Sequence, residues 1–139
     1  MEYSFTWGGD PEDVLLTVSG EASAAEFVAI TDELVDDPRH RRGASMIFDY
    51  RELDLSATSA ATLRALAASI AQRRDRIGPA RIAIVFSRAV DFGVYRMFAA
   101  FSEGQTLATG GQFWSLEEAR AWLRELDGTA HDDAKEQQA

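Results

Sequence analysis

Few side chains in this sequence have the types and spacing that catalysis requires. The two histidines, His40 and His131, lie far apart, and neither belongs to a Ser-His-Asp order or to a histidine–carboxylate metal spacing. Cysteine is absent, so thiolate nucleophiles, thiolate metal ligands and disulfides are excluded. We therefore expect a protein that is not an enzyme and that carries no metal ion and no cofactor.

One acid–base pair, Asp49 and Arg51, ends the apolar stretch 46–51. Residues two apart in a strand point to the same side. The carboxyl end of a strand in an α/β domain is a common position for ligands. The pair is therefore a candidate surface for a partner or a polar ligand, although a structural ion pair is the more frequent function of such residues.

Three hydroxyls follow that strand, at Ser56, Thr58 and Ser59, where a long helix is predicted to begin. They are candidate phosphoacceptors, because a phosphate at a helix N-terminus gains from free amides and from the helix dipole. The alternative is an ordinary N-cap, in which a hydroxyl accepts a hydrogen bond from a backbone amide and contributes about 1 kcal/mol. The sequence favours the cap.

The helix predicted over residues 89–102 has apolar residues on more than one side. Helical spacing predicts a core face made of Val90, Val94, Met97, Phe98 and Phe101. That choice leaves Phe92, Tyr95 and Arg96 on the outer face, as a candidate surface for a partner or the wall of an apolar pocket. A covering loop, or a cation–π contact between Phe92 and Arg96, would also explain these residues.

The charge and hydropathy of the chain limit its partners. The formal net charge of −9 argues against a nucleic-acid partner, which is held by neutralising phosphates. No apolar run approaches the ~20 residues of a membrane span, and no signal peptide is recognisable, so we expect a cytoplasmic protein.

Apolar periodicity predicts an α/β domain in the order ββαβαβαβα, with a mixed, mostly parallel five-stranded sheet and four helices. The domain is predicted over residues 1–128, with an acidic, disordered tail over 129–139. The strands are predicted over 2–7, 14–18, 46–51, 81–86 and 105–109, the last with an extension to 113. The helices are predicted from 23 to 36, from between 56 and 59 to about 76, over 89–102, and from 115 to 128.

This order, together with Asp37-Pro38-Arg39, the strand 46–51 and the helix start Phe92-Gly93-Val94-Tyr95-Arg96-Met97, resembles the SpoIIAA-like group. These are bacterial relatives of the STAS domains, the anti-sigma-factor antagonists. The resemblance spans about residues 1–128. It implies a non-catalytic regulatory or interaction module that binds a protein partner or itself, for example as a homodimer.

The resemblance also implies a switch, because STAS antagonists are phosphorylated on a Ser or Thr at the start of the helix after the third strand. Their pattern, Asp-Ser-Ser-Gly-Leu, falls on Ala57-Thr58-Ser59-Ala60 when counted from the strand. It falls on Ser59-Ala60-Ala61-Thr62 when counted from the leucines of the helix. The flanking Asp and Gly are missing in both alignments, which weakens the switch hypothesis.

A second hypothesis is a carrier or sensor of a small apolar, lipid-like ligand, since the SpoIIAA-like group resembles lipid carriers of the CRAL-TRIO type in architecture. A carrier requires a cavity of several hundred Å³ between the third predicted helix and the sheet, lined by residues such as Phe98 and Phe101. A filled interior, with Phe92 and Tyr95 buried against a second chain, would exclude it.

Overall fold

The computed structural model describes residues 1–138, with side chains described through residue 127. The described residues form an α/β domain with a five-stranded mixed sheet, as predicted, and with five helices rather than four. The elements in chain order are β1 (Glu2–Trp7), β2 (Val14–Gly20), α1 (Ala24–Asp36), β3 (Ser45–Leu53), α2 (Ala60–Ala71), α3 (Arg74–Ile77), β4 (Arg81–Val85), α4 (Ala89–Ser102), β5 (Thr109–Phe113) and α5 (Leu116–Gln138).

The strands lie in the sheet in the order in which they occur in the chain, β1-β2-β3-β4-β5. β1 and β2 form an antiparallel hairpin, and each later strand is parallel to the one before it. Every parallel crossover therefore moves in the same direction, and crossovers of one hand place their helices on one face. Accordingly α1 contacts α2 and α2 contacts α4, while α5 contacts β3, β4 and β5.

Strand alternation separates the two faces of the sheet. In β3 and β4, Met46, Phe48 and Ile84 pack in the clusters on the side of α1, α2 and α4. Ile47 and Ala83, which alternate with them, pack against α5. The apolar core is thus divided into two layers by the sheet.

The helix predicted to end near residue 76 is two helices. α2 ends at Ala71, and α3 begins at Arg74 after Arg73 leaves the helical conformation, with φ −102° and ψ 5°. The Arg73 guanidinium donates to the Asp32 carboxylate of α1 and to the Ser69 carbonyl at 2.6 Å. This anchor to α1 accompanies the break and accounts for the fifth helix.

The ends of several elements differ from the prediction. The fifth strand lies over Thr109–Phe113, so residues 105–108 are a loop. The first helix begins at the predicted capping box, in which Ser23 and Glu26 each accept the other's backbone amide. α5 continues past Gly128, the predicted cap, to Gln138. The acidic tail predicted over 129–139 lies outside the residues whose side chains are described.

Within residues 1–138, no helix combines the length and the apolar character that crossing a membrane requires.

Candidate functional site

A cavity of about 410 Å³ lies between the sheet and the three helices α1, α2 and α4. Apolar side chains from all of these elements line it. The floor is formed by Met46, Phe48, Tyr50 and Ile82 of the sheet, and the helices contribute Phe27, Leu34, Leu63, Leu66, Ala67, Ile70, Val94, Tyr95 and Phe98. The cavity crosses the face of the sheet and is not a crevice at the ends of its strands.

One end of the cavity is aromatic. Tyr50 lies between Phe27 and Phe48, with ring centroids 6.1 Å and 6.0 Å away. Tyr50 and Tyr95 both contact the ring of Phe86, at 6.1 Å and 5.5 Å. These rings hold the two tyrosines in fixed positions at the junction of β3, β4 and α4.

The two tyrosine hydroxyls have no hydrogen-bond partner among the described residues, although Tyr50 is only 7% exposed. Burial raises the pKa of both phenols far above the usual range, and in Tyr50 repulsion from a phenolate at Tyr95 adds to this. Both groups are therefore protonated at neutral pH. Each can donate a hydrogen bond to a group in the cavity.

The other end of the cavity is aliphatic and reaches the surface. Leu34, Met46 and Ile82 belong to a cluster against which Ile77 packs, near the start of the parallel strands. Arg74, one turn before Ile77, is the only charged side chain among the lining residues that the structure describes. Its side chain is 52% exposed, so this charge lies at the rim.

The first turn of α4 is firmly anchored. The Asp91 carboxylate, 1% exposed, accepts hydrogen bonds from the Leu55 amide at 2.7 Å and from Arg88 at 2.6 Å and 3.0 Å. The Gln112 side chain of β5 donates to the Phe92 carbonyl at 3.0 Å. These contacts fix one end of the helix that covers the cavity.

Beyond that anchor, α4 passes over open space. A Cβ at Gly110 of β5 would meet only the Ile82 carbonyl oxygen, at 4.0 Å. Phe98 and Ser102 of α4 line the cavity at this side. The missing side chain at Gly110 thus contributes to the volume of the cavity.

The prediction that Phe92 and Tyr95 lie on the outer face of α4 is wrong. Phe92 packs against Phe86 and stacks on Trp114 at 4.7 Å, and Tyr95 lines the cavity. Val90 and Met97, predicted as core, are 47% and 45% exposed.

The physical reason is Asp91, because its buried hydrogen bonds orient the helix so that residues 91, 95, 98 and 102 face inward. Arg96, by contrast, is exposed as predicted. Phe98 lines the cavity, but Phe101 does not, since its ring lies under the Arg64 guanidinium at 4.9 Å. An Arg three residues before an Asp in the first turn was the available signal for this orientation.

Asp49 and Arg51 form a bidentate ion pair away from the cavity. The Arg51 nitrogens lie 2.9 Å and 2.8 Å from the two Asp49 oxygens. Burial alone would raise the pKa of Asp49, but the hydrogen bonds from the Arg51 side chain and backbone outweigh it and lower the pKa. Asp49 follows Ile47 on the face that α5 covers, so the structure does not bring this pair together with the tyrosines.

The three hydroxyls have different environments. Ser59 is the N-cap of α2 and accepts from the Thr62 amide at 3.1 Å, while the Ser56 hydroxyl donates to Asp54 at 2.6 Å. Thr58 lines the cavity. These contacts are those of caps and of a cavity wall, and they leave phosphorylation a prediction.

Tyr50 was missed as a site residue, although it follows Met46 and Phe48 at the alternation of a strand. No group of three or more histidine, cysteine, aspartate or glutamate side chains in the described part of the chain could hold a metal ion.

A scan of the chain against protein-family models finds no match, and neither does a search of curated proteins.

Proposed function

We propose that this protein binds a small apolar molecule in the cavity under α4 and acts as a non-catalytic carrier or sensor of that molecule. The observation that carries the proposal is a cavity of about 410 Å³ with a mostly apolar lining. Protein interiors are normally close-packed and leave few voids larger than a water molecule. Pockets for small ligands typically measure about 300–1,000 Å³.

The walls of the cavity support the same proposal. A void on this scale lowers stability through lost contacts, so its retention indicates a use. The lining is apolar with a few polar groups, among them Tyr50, Tyr95 and Thr58, which is the usual composition of a ligand pocket. Phe92 and Tyr95 pack against the core, so they do not form the outer surface of α4 that the sequence predicted for a partner.

The proposal includes membership of the SpoIIAA-like, STAS-related group. The support is architectural: an opening antiparallel hairpin, a mostly parallel five-stranded sheet, and a helix N-terminus after the third strand. Membership of this group is compatible with either function.

The test is saturable binding of N-phenylnaphthylamine, an uncharged apolar dye whose fluorescence rises in an apolar environment. Ala67 is buried and lines the cavity, whereas Ala65 on the same helix is exposed. We expect the natural chain and Ala65→Phe to bind one dye molecule, and Ala67→Phe to lose binding while still unfolding cooperatively.

Equal binding by Ala67→Phe and Ala65→Phe would place the dye elsewhere and would contradict the proposal. So would a chain that neither binds the dye nor carries any small molecule through gentle purification, as judged by native mass spectrometry.

A STAS-like interaction module that binds a protein partner or a second copy of itself is the second candidate. The observation in its favour is the outer face of α4, where Val90 and Met97, two turns apart, are about half exposed. Sedimentation equilibrium of the natural chain and of Met97→Glu tests self-association. We expect a concentration-dependent dimer that the substitution abolishes, and a monomer at every concentration would exclude the homodimer.

A further inference from the structure

Tyr50 and Tyr95 line the aromatic end of the cavity, and their hydroxyls have no hydrogen-bond partner among the described residues. The few polar groups in an apolar pocket usually fix the orientation of its ligand. We infer that the ligand is an uncharged molecule with an oxygen acceptor of the carbonyl type, seated between these two hydroxyls, on an apolar body. This inference rests on the proposed function and specifies its ligand.

The positions of the two tyrosines support a shared acceptor. They come from different elements, β3 and α4, and flank one ring, Phe86, at 6.1 Å and 5.5 Å. A carbonyl oxygen has two lone pairs, so it can accept from both hydroxyls at once.

The protonation of the phenols determines what the ligand must offer. Both phenols are protonated at neutral pH, and burial raises the pKa of each further, so each can donate a hydrogen bond. A ligand hydroxyl oxygen can also accept from both tyrosines, but it adds a hydrogen that itself needs an acceptor. A carbonyl oxygen adds no such requirement.

The charge distribution excludes an ionised head group at this end. Arg74 is the only cation among the described lining residues, and it lies at the aliphatic rim beside the cluster of Ile77. A carboxylate or phosphate between the tyrosines would therefore be buried without a counter-charge, which is strongly unfavourable. The group that the tyrosines hold must be neutral.

The remaining walls determine the rest of the ligand. From the tyrosines to the rim, the cavity is lined by Leu66, Ile70, Met46 and Ile82, which offer apolar contact. Such walls favour an alkyl chain or a fused apolar ring system of the same volume. The ligand class is therefore a long-chain or polycyclic ketone, aldehyde or ester.

The experiment compares two probes of equal shape by displacement of N-phenylnaphthylamine. One is methyl nonyl ketone, and the other is its isostere in which a methylene group replaces the carbonyl oxygen. The variants are Tyr50→Phe and Tyr95→Phe, which remove one hydroxyl each and keep the ring. The matched control is Tyr3→Phe, because the Tyr3 hydroxyl donates to Glu33 and lies outside the cavity.

We expect the ketone to bind the natural chain roughly 10-fold more tightly than the isostere, as two neutral hydrogen bonds imply. Each cavity variant should lower the affinity for the ketone by about 3- to 10-fold and that for the isostere by less than about twofold. Tyr3→Phe should change neither affinity. Decanoate, which carries a charge, should bind more weakly than the ketone.

The outcomes separate the two proposals. If the dye binds but ketone and isostere displace it equally in every variant, the inference about the acceptor is wrong and the carrier function stands. Tighter binding of decanoate that depends on Tyr50 or Tyr95 would also overturn the inference. If neither the dye nor either probe binds, the proposed function itself fails.

Discussion

The two faces of the sheet use neighbouring glycines in opposite ways. On the α5 face, a Cβ at Gly111 would meet the Phe113 ring at 2.8 Å and Trp122 at 3.2 Å. On the other face, a Cβ at Gly110 would meet only a carbonyl oxygen at 4.0 Å. One glycine permits close packing, and the next leaves space unfilled.

The difference continues in the side chains around them. Under α5, small residues stand on both the strand and the helix, at Ala83 and Ala119, and both are fully buried. Under α1, α2 and α4, the strands carry large residues such as Phe48 and Tyr50, which hold the helices away from the backbone of the sheet. One face thus supplies stability through close packing, while the other supplies an internal volume.

The largest loss of stability is expected when a buried carboxylate loses its arginine partner. Glu12 pairs with Arg120 of α5, and Asp91 of α4 pairs with Arg88. Glu12, 3% exposed, is held by Arg120 of α5 at 2.9 Å and 3.2 Å, and Arg120→Ala leaves its charge unpaired. We expect a loss of about 3–5 kcal/mol in the free energy of unfolding. Arg88→Ala should lose less, because the Leu55 amide still donates to Asp91. Urea denaturation measures both, and a larger loss for Arg88→Ala would contradict this order.

Enlarging an alanine on each face tests the difference in packing directly. Ala119 on α5 and Ala67 on α2 are 0% and 3% exposed. Ala119→Leu should lower the free energy of unfolding by about 1–3 kcal/mol through overpacking, and Ala67→Leu by less than about 1 kcal/mol, because the new side chain enters the cavity. Thermal and urea unfolding of the two variants provide the comparison. Equal losses would mean that both faces are packed alike.

Removing either of two helix N-caps should lower stability by a smaller amount, and by about the same amount in each case. Ser59 of α2 and Ser115 before α5 each accept a backbone amide at 3.1 Å. Replacing either by Ala should lower the free energy of unfolding by about 1 kcal/mol. Only Ser59→Ala should also change the affinity for N-phenylnaphthylamine, because Thr58 and Thr62 line the cavity. An unchanged stability for Ser59→Ala would mean that this hydroxyl is not a cap.

The smallest change in stability is expected at acidic pH, from Asp54 in the loop before α2. Hydrogen bonds from the Ser56 hydroxyl and amide, and then from Arg88, lower the pKa of Asp54 to about 2. Because this folded-state pKa lies below the unfolded value of about 3.9, the contribution to stability is present above that value and is lost as the pH falls towards about 2.

The Asp54→Asn variant should therefore show a flatter pH dependence of the unfolding free energy between about pH 4 and pH 2 than the natural chain. Asp37→Asn is the control, since hydrogen bonds from Arg39 lower the pKa of Asp37 to about 2 far from the cavity. Both variants should flatten the stability profile, and only Asp54→Asn, which lies near the anchor of α4, should also change the affinity for N-phenylnaphthylamine. An unaltered profile for Asp54→Asn would contradict the assigned pKa.

The order of the elements along the chain was predictable because it depends on local patterns. Alternation at Tyr3, Phe5 and Trp7 marks β1, and the capping box at Ser23 and Glu26 marks α1. The break between α2 and α3 was not predictable in the same way. It accompanies hydrogen bonds from Arg73 to a residue 41 positions earlier, which no local pattern contains.

The site was less predictable than the fold. Ligands in doubly wound sheets bind where the strand order reverses, and this sheet has no reversal, so its topology adds no support for a site at Asp49, which stays a prediction. The rotation of α4 depended on Asp91, whose partners Arg88 and Leu55 are fixed only in the folded chain. The volume of a cavity depends on how far the helices lie from the sheet and on the size of the side chains between them. The sequence gives the size of the side chains but not the spacing.

The in-line order of the strands has a consequence for how the chain is made. Each strand pairs with its immediate predecessor, so the sheet can grow one strand at a time as residues leave the ribosome. α5 is synthesised last, and until it docks, Ile47, Ala83 and Val85 face solvent. The nascent chain therefore completes the cavity between the sheet and α1, α2 and α4 before α5 covers the opposite face of the sheet.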